Sequence, residues 1–176
     1  AYFNTADRRD KRNNTIKINI KKPQVFNIND FIEIRSFNCN KLLYCIQHSQ
    51  LFFMKTFDIT NSPNREEENK YFEREQNCYE KIQIDHPYQL KYFGSIENDS
   101  KKSLILDFIN GSTLKCTKNL SFIEKISIIL EIMISIEVLH LEGFIYRDLK
   151  PDNIIIDKNK NAILIDFDMA RLLENN

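Results

Sequence analysis

The residues best suited to chemistry lie near the end of the chain, where Asn153 precedes one apolar run and Asp166 follows another. The two runs, residues 154–156 and 162–165, flank the polar residues 157–161 and predict a hairpin. Antiparallel strands bring their outer ends together, so we expect the Asn153 carboxamide and the Asp166 carboxylate to lie side by side. Such oxygen atoms suit Mg²⁺, which takes few protein ligands and completes its octahedron with phosphate oxygens and water.

An acid and an ammonium group precede this pair in the same loop. Asp148 lies five positions before Asn153, and Lys150 lies between them. A carboxylate, an ammonium group and two metal-ligand oxygens are the parts that phosphoryl transfer needs, because its chemistry depends on positioning and charge neutralisation. The loop therefore predicts a phosphoryl-transfer centre.

The elements that must position these groups follow from apolar runs and turn chemistry. Residues 42–46 and 51–57 are separated by a polar turn and predict a first hairpin. Three glutamates at residues 66–68 predict the start of a helix, because acidic side chains favour the positive end of a helix dipole. Residues 88–96 and 103–108 predict a second strand pair.

A longer helix is predicted to begin after Ser121, since Ser121 and Glu124 have the spacing of a capping box. One face of this helix is marked by Ile126, Ile129, Met133 and Ile136. The other is filled by Ile128, Ile132 and Ile134. A helix that is apolar nearly all round is predicted to be buried.

Composition limits the class of protein. The 25 basic side chains are balanced by 25 acidic ones, so the chain as a whole does not have the charge of a nucleic-acid-binding protein. Hydrophobic residues make up 42%, which excludes wholesale disorder. The most apolar stretch, residues 126–139, is too short and too charged for a membrane span. Four cysteines without paired spacing predict reduced thiols and a cytoplasmic or nuclear protein.

The first 28 residues are predicted to be a basic N-terminal extension, either flexible or forming an edge strand. Residues 16–20 alternate isoleucine with polar side chains, which favours a short strand. A solvated arm is the expected role of the basic cluster, and a patch for nuclear targeting or for an acidic partner is the alternative. The cluster consists of Arg8, Arg9, Lys11 and Arg12.

Two motifs resemble those of a known family. Residues 146–153 run Tyr-Arg-Asp-Leu-Lys-Pro-Asp-Asn, which resembles the catalytic loop of eukaryotic-type protein kinases with Tyr in the usual His position. Residues 166–168 run Asp-Phe-Asp and are similar to the Asp-Phe-Gly motif of that family. The resemblance extends from about Phe31 to the end of the chain.

The resemblance implies an α+β, protein-kinase-like fold. It places an antiparallel-sheet N-lobe with one helix, the αC helix of the family, at residues 29–108. The hinge and the first part of a helical C-lobe follow at residues 109–176, with the αE helix, the catalytic loop and the final hairpin. The resemblance ends just past the Asp-Phe-Asp motif, and the activation segment and later helices of the family have no counterpart in this sequence. We therefore expect a further segment or a partner protein to cover the αE face.

The resemblance assigns roles to the loop residues. Asp148 would orient the substrate hydroxyl and accept its proton, and Lys150 would neutralise the γ-phosphate of ATP. Asn153 and Asp166 would hold Mg²⁺. Lys150 is followed by Pro151, the form found in serine/threonine kinases, so the expected acceptor is a Ser or Thr hydroxyl of a protein substrate.

A lysine and a glutamate complete the implied phosphate site. Lys55 lies in the second strand of the first hairpin, where the family has the lysine that grips the α- and β-phosphates. Glu75 shares a helical stripe with Phe72 and Tyr79 and is the expected partner of Lys55. Glu73 would face elsewhere and is the alternative.

The adenine site is implied by residues 104–111. Leu106 would be the gatekeeper, and the Asp107 carbonyl and the Ile109 amide would bond the base edge. The other implied nucleotide contacts are Leu42, Phe53 and Ile155. The positions where the family stacks its regulatory spine are held by Tyr79, Tyr92, Tyr146 and Phe167.

The chain departs from the family at its phosphate loop. The three glycines of the chain stand apart from one another, so residues 34–42 cannot form a glycine-rich loop. Asn38 and Asn40 tolerate left-handed backbone better than most residues, and Arg35 or Lys41 could provide charge instead.

Two further departures keep other functions open. Phe53 replaces a small residue above the adenine, and Asp168 replaces the last glycine of the Asp-Phe-Gly motif. We expect a serine/threonine protein kinase that uses ATP and Mg²⁺, without nucleic-acid or membrane partners. The first alternative is a pseudokinase that binds nucleotide weakly and acts through its surfaces. The second is a small-molecule kinase of the choline or aminoglycoside type, to which Asp-Phe-Asp is closer.

Overall fold

The computed structural model describes residues 28–60, 62–82, 86–97 and 100–173, and the predicted strand at residues 16–20 and the basic cluster lie outside this part. The helices are α1 Arg65–Lys81 and α2 Phe122–Leu141, with short 3-10 helices at Ile28–Asp30 and Pro151–Asn153. The strands are β1 Phe31–Phe37, β2 Asn40–Cys45, β3 Gln50–Asp58, β4 Tyr92–Glu97, β5 Lys101–Asp107, β6 Gly111–Thr113, β7 Phe144–Ile145, β8 Ile154–Asp157, β9 Ala162–Leu164 and β10 Arg171–Leu172.

The first five strands form an antiparallel sheet in the order β1-β2-β3-β5-β4. β2 and β3 are the predicted first hairpin, in which Leu42 lies opposite Phe53. On its other side β3 pairs with β5, and Lys55 lies opposite Leu104. Lys55 therefore lies in a strand that neighbouring strands hold on both sides.

The first helix packs one stripe against this sheet. It begins at Arg65, beside the three glutamates that predicted its first turn. Phe72, Glu75 and Tyr79 are buried along the stripe, and the Phe72 ring meets Phe57 of β3 edge-on at 5.6 Å. Packing of this apolar stripe carries the carboxylate of Glu75 to the inner face of the sheet.

The second strand pair is shorter than the sequence predicts. The strand expected at residues 88–96 begins only at Tyr92. The residues before it make other bonds: the Tyr88 carbonyl accepts from the Ser135 hydroxyl of α2 at 3.0 Å, and Gln89 forms an isolated bridge to β9. These contacts hold residues 88 and 89 against α2 and the final hairpin, and contact with β5 begins with the Lys91 carbonyl, which accepts from the Asp107 N–H at 2.9 Å.

The second helix starts with the predicted capping box. The Ser121 hydroxyl accepts from the Glu124 N–H at 3.2 Å, and the Glu124 carboxylate accepts from the Ser121 N–H at 2.7 Å. Among the described residues, no helix combines the length and the apolar character that crossing a membrane requires.

The prediction that α2 is buried nearly all round is wrong for the described part of the chain. One face packs against β7 and β9, and its buried residues are Ile128, Glu131, Ile132, Ser135, Val138 and Leu139. The apolar side chains left exposed are Phe122, Ile123, Ile126, Ile129, Leu130, Met133, Ile134 and Leu141. Apolar composition alone does not bury a helix face. Burial needs a packing element, and those described lie on one side of α2.

The final hairpin forms as predicted. β8 and β9 pair with Ile154 opposite Leu164, and β6 adds a third strand. The Ile165 N–H then donates to the Asn153 carbonyl at 3.0 Å, so the pairing extends to the end of the hairpin. The antiparallel sheet and its helix lie within residues 28–107, which confirms the α+β class. The exact lobe boundaries stay a prediction.

We expect Ser121→Ala to lower the free energy of unfolding by about 1 kcal/mol, because the first turn of α2 loses an acceptor for a backbone N–H. Urea denaturation measures the change. Ser121→Asn is the matched control, since asparagine caps helices as well as serine does, and it should retain most of the stability. Equal losses in the two variants would contradict a capping role.

Candidate active site

Lys55 joins two carboxylates from distant parts of the chain. Its Nζ lies 2.6 Å from Glu75 Oε2 on α1 and 2.6 Å from Asp166 Oδ1 just after β9. Glu75 is fully buried, and its Oε1 also accepts from the Phe167 N–H at 3.4 Å. Glu73, the alternative partner, is exposed and accepts from Asn69. One ammonium group thus connects the sheet, α1 and the final hairpin.

Burial and charge oppose each other at this lysine. Burial alone would lower the pKa of Lys55, but Glu75 and Asp166 outweigh it and raise the pKa. The ammonium group therefore stays charged at neutral pH. Burial raises the pKa of Glu75, and Lys55 opposes that rise. Without a cation, a carboxylate in this position would be strongly destabilising.

A second group of polar side chains surrounds Asp148. Its Oδ2 accepts from Lys150 Nζ at 2.6 Å and from Asn153 Nδ2 at 2.8 Å. The bond from Lys150, followed by that from Asn153, lowers the pKa of Asp148. Asp148 is therefore a carboxylate at neutral pH and can accept a further hydrogen bond.

The two outer ends of the final hairpin meet, as the sequence predicts. Asn153 immediately precedes β8, and Asp166 follows Ile165, whose N–H bonds the Asn153 carbonyl. The Asn153 amide nitrogen bonds both the carbonyl and the carboxylate of Asp148, so its side-chain oxygen is directed away from Asp148.

This donor set fits Mg²⁺ with few protein ligands. In the described part of the chain, no three His, Cys, Asp or Glu side chains gather where they could hold a metal ion. The pair at the hairpin end, one carboxamide and one carboxylate, would leave most positions of an octahedron to phosphate oxygens and water. Mg²⁺ favours that arrangement.

Two residues of the site have left-handed backbone. Arg147 has φ 72° and Asp166 has φ 67°. This conformation costs a non-glycine residue about 1–2 kcal/mol. Such residues cluster at functional sites, where the surrounding structure enforces them.

Four aromatic rings stack between the two parts of the structure, in the order Tyr92, Tyr79, Phe167, Tyr146. The Tyr79 ring lies 5.5 Å from Tyr92 and 4.9 Å from Phe167, and Phe167 lies 5.7 Å from Tyr146. The Tyr146 hydroxyl donates to the Ile165 carbonyl at 2.6 Å. The stack links α1 and β4 to the segment that carries Asp166.

A cavity of about 320 Å³ lies between the five-stranded sheet and the final hairpin. Phe53, Leu106 and Ile155 contribute to an apolar part of its wall. The charged part of the wall is formed by Lys55, Glu75 and Asp166. Asp107 and Ile109 line the cavity, as the adenine-site prediction requires. Leu42, Asp148, Lys150 and Asn153 do not line it.

Four residues line the cavity although no ligand contact was predicted for them: Asn40, Leu90, Phe108 and Ile165. Apolar side chains that line a cavity have the same pattern as those that fill a core, so no periodicity separates Leu90 or Phe108 from core residues. The position of Ile165 next to Asp166 was an available signal. Asn40 also carried a sequence signal, because it belongs to the segment that replaces the phosphate loop.

Two departures from the family are Phe53, which lines the cavity, and Asp168, which does not. Phe53 is half-buried and forms part of the apolar wall. Asp168 is half-buried just beyond Phe167, and burial, followed by the charge of Asp166, raises the pKa of Asp168. The site therefore holds a bulky ring where the family has a small residue, and an additional acid near Asp166.

The segment that replaces the phosphate loop is a tight turn between β1 and β2. Asn38 adopts φ 56°, as its residue type allows, whereas Asn40 is the first residue of β2. Arg35 lies over the Phe37 ring at 4.9 Å. Lys41 pairs with Glu33 at 2.6 Å. Both cations of the loop are thus engaged locally.

Known proteins match most of the chain. The model of the protein kinase domain family matches residues 38–176. Ribosomal protein S6 kinase alpha-3 of Homo sapiens is 34% identical over 94 residues, which is 51% of this chain and 13% of that protein. A probable serine/threonine-protein kinase of Dictyostelium discoideum is 38% identical over 87 residues, or 47% of this chain and 19% of that protein.

Developmentally-regulated protein kinase 1 of Dictyostelium discoideum is 35% identical over 94 residues, covering 51% of this chain and 13% of that protein. The matched region spans less than one fifth of the length of each of these three relatives.

We expect Tyr79→Phe to raise the free energy of unfolding by up to about 1 kcal/mol, because the buried Tyr79 hydroxyl has no hydrogen-bond partner among the described residues. Tyr146→Phe is the matched control in the same stack. It removes the bond to the Ile165 carbonyl and should destabilise the protein by about 1 kcal/mol. Thermal and urea unfolding measure both. Destabilisation by Tyr79→Phe would show that its hydroxyl is bonded.

Proposed function

Because the chain belongs to the protein kinase domain family, we propose that it binds ATP with Mg²⁺ and transfers the γ-phosphate to a serine or threonine hydroxyl of a protein. The observation that carries this proposal is the double ion pair of Lys55 with Glu75 and Asp166 in the cavity wall. A charged region beside an apolar one suits a ligand with a polyanionic tail and a flat aromatic base.

Nucleotide binding is divided between the two parts of the cavity. Phe53, Leu106 and Ile155 bury the faces of the adenine ring, since apolar side chains in a cavity favour a flat aromatic ligand. Lys55 binds phosphate oxygens, and Glu75 holds the Lys55 side chain in place. The ion pair prepares Lys55 before nucleotide binds, so little side-chain entropy is lost on binding.

Transfer depends on the residues around Asp148. Because its pKa is lowered, Asp148 is ionised, orients the acceptor hydroxyl and takes its proton as the bond to phosphorus forms. Lys150 holds Asp148 and provides positive charge for the transferred phosphate. Asn153 fixes Asp148 and, with Asp166, offers oxygen ligands to Mg²⁺. Bound Mg²⁺ neutralises phosphate charge.

The acceptor is proposed to be a protein hydroxyl. One of the relatives named above is a probable serine/threonine-protein kinase, and Lys150 with Pro151 has the form found in that class. Asp168 favours a second candidate, a small-molecule kinase of the choline or aminoglycoside type. Phe53 in the cavity wall favours a third, a pseudokinase whose nucleotide site is crowded.

We expect Lys55→Met to reduce phosphate transfer from labelled ATP to a generic basic protein by about 100-fold or more, because a preorganised cation for the phosphates is lost. Lys70→Met, an exposed lysine on α1, is the control and should keep wild-type activity. Transfer to choline or an aminoglycoside alone would favour the small-molecule kinase. Wild-type protein that binds ATP but transfers no phosphate would favour the pseudokinase.

We expect Asp148→Asn to abolish most transfer while ATP affinity stays within about twofold of wild type, because Asp148 acts on the acceptor hydroxyl and does not line the nucleotide cavity. Equilibrium binding and single-turnover transfer separate the two effects. A parallel loss of ATP affinity would place Asp148 in nucleotide binding.

The pH dependence follows from the lowered pKa of Asp148. Activity is present above that pKa and falls as the pH drops through it. Lys150→Ala removes the largest cause of the lowering, so the acid limb of the kcat/KM profile should move to higher pH, in addition to a lower maximum. Lys115→Ala breaks a neighbouring exposed pair with Asp152 and should leave the limb in place. An unmoved limb in Lys150→Ala would contradict Asp148 as the group that titrates.

A further inference from the structure

Asn40 lines the cavity beside the phosphate-binding groups. It is the first residue of β2, directly after the turn formed by Asn38 and Cys39. It lines the same cavity as Lys55 and Asp166. A polar side chain thus stands where the family brings glycine backbone close to the phosphates.

The orientation of the Asn40 carboxamide is fixed by one hydrogen bond. Its Oδ1 accepts from the Thr56 backbone N–H at 2.9 Å. A backbone N–H can only donate, so the oxygen must face Thr56 and the NH₂ group must face the other way. Among the described residues, no hydrogen bond is made by Asn40 Nδ2. Both of its N–H donors are available to a ligand.

The position of Thr56 locates this donor along the cavity. Thr56 directly follows Lys55 and lies three residues beyond Phe53 on β3. Three residues of strand span about 10 Å, so the Asn40 amide lies near Lys55 and far from the apolar wall at Phe53. An ammonium group and an amide NH₂ are both donors, and together they suit a polyanion.

The two cations of the replaced loop are engaged elsewhere, and Asn38 does not line the cavity. Arg35 lies over the Phe37 ring, and Lys41 is bonded to Glu33. Asn40 is therefore the loop residue with a fixed, available donor at the cavity wall.

We propose that the side-chain amide of Asn40 donates a hydrogen bond to the polyphosphate of a bound nucleoside di- or triphosphate, in place of the backbone amides of a glycine-rich loop. This inference rests on the proposed nucleotide-binding function. The proposed hydrogen bond recognises only the phosphate chain, so a nucleoside without phosphates does not form it.

The test is Asn40→Asp, measured as the dissociation constants of Mg²⁺–ATP and of adenosine by isothermal titration calorimetry. Aspartate keeps an oxygen acceptor for the Thr56 N–H and replaces only the donor with a negative charge. We expect ATP affinity to fall about tenfold or more while adenosine affinity stays within about twofold, because a half-buried donor to a charged acceptor is replaced by a repulsive carboxylate.

Asn38→Asp is the matched control. It introduces the same charge two residues away, at a left-handed position that aspartate tolerates and outside the residues that line the cavity. Both affinities should stay within about twofold of wild type. Thermal unfolding confirms that each variant is folded. If Asn40→Asp does not fold, Asn40→Ala replaces it, and its ratio of ATP to adenosine affinity should fall at least threefold, by about 0.65 kcal/mol.

Four results would overturn the inference. Equal effects of Asn40→Asp and Asn38→Asp on ATP affinity would assign the change to general charge. Equal losses of ATP and adenosine affinity would assign it to a reshaped cavity. Wild-type protein that binds neither ligand would overturn the proposed nucleotide binding and the inference with it. Normal wild-type binding of both ligands with an unaltered ratio in Asn40→Asp would remove the inference alone.

Discussion

The ion pairs of Lys55 organise the site. Glu75 is fully buried on α1, and a carboxylate in that position is tolerated only beside a cation. Lys55 provides the cation from the central strand β3 and bonds Asp166 after the final hairpin at the same time. The sheet, the helix and the hairpin must therefore meet at one ammonium group. That meeting leaves a cavity with charged and apolar walls.

The final hairpin is anchored independently of the lysine. Glu131 of α2 is buried, and its carboxylate accepts from the Ala162 N–H of β9 at 2.6 Å and from the Ser127 hydroxyl at 2.9 Å. The stack of Tyr79, Phe167 and Tyr146 joins the other end of the hairpin to α1. Because the hairpin is held from both sides, its outer end can carry strained backbone and present polar groups in fixed positions.

The side of the cavity proposed to bind phosphate differs from a glycine-rich loop in the kind of donor it offers. Glycine lets backbone amides approach a phosphate, whereas this chain has a tight turn followed by a side-chain amide that an adjacent strand orients. The Thr56 N–H that orients Asn40 belongs to the residue after Lys55, so one strand positions both donors. A side-chain donor also brings bulk that glycine lacks.

Structural features that depend on neighbours along the chain could be predicted from the residue pattern. Local hydrogen bonding and the spacing of apolar and turn residues predict the two hairpins and the capping box of Ser121. They also predict that Asn153 meets the end of the hairpin that carries Asp166. Packing between distant segments set which face of α2 is covered, where β4 begins, and that Asn40 lies at the cavity wall. It alone brought Lys55 to Asp166 across 111 positions. These outcomes depend on which distant surfaces pack together. Apolar composition does not predict them, because a helix face that is covered and one that is exposed can have the same composition.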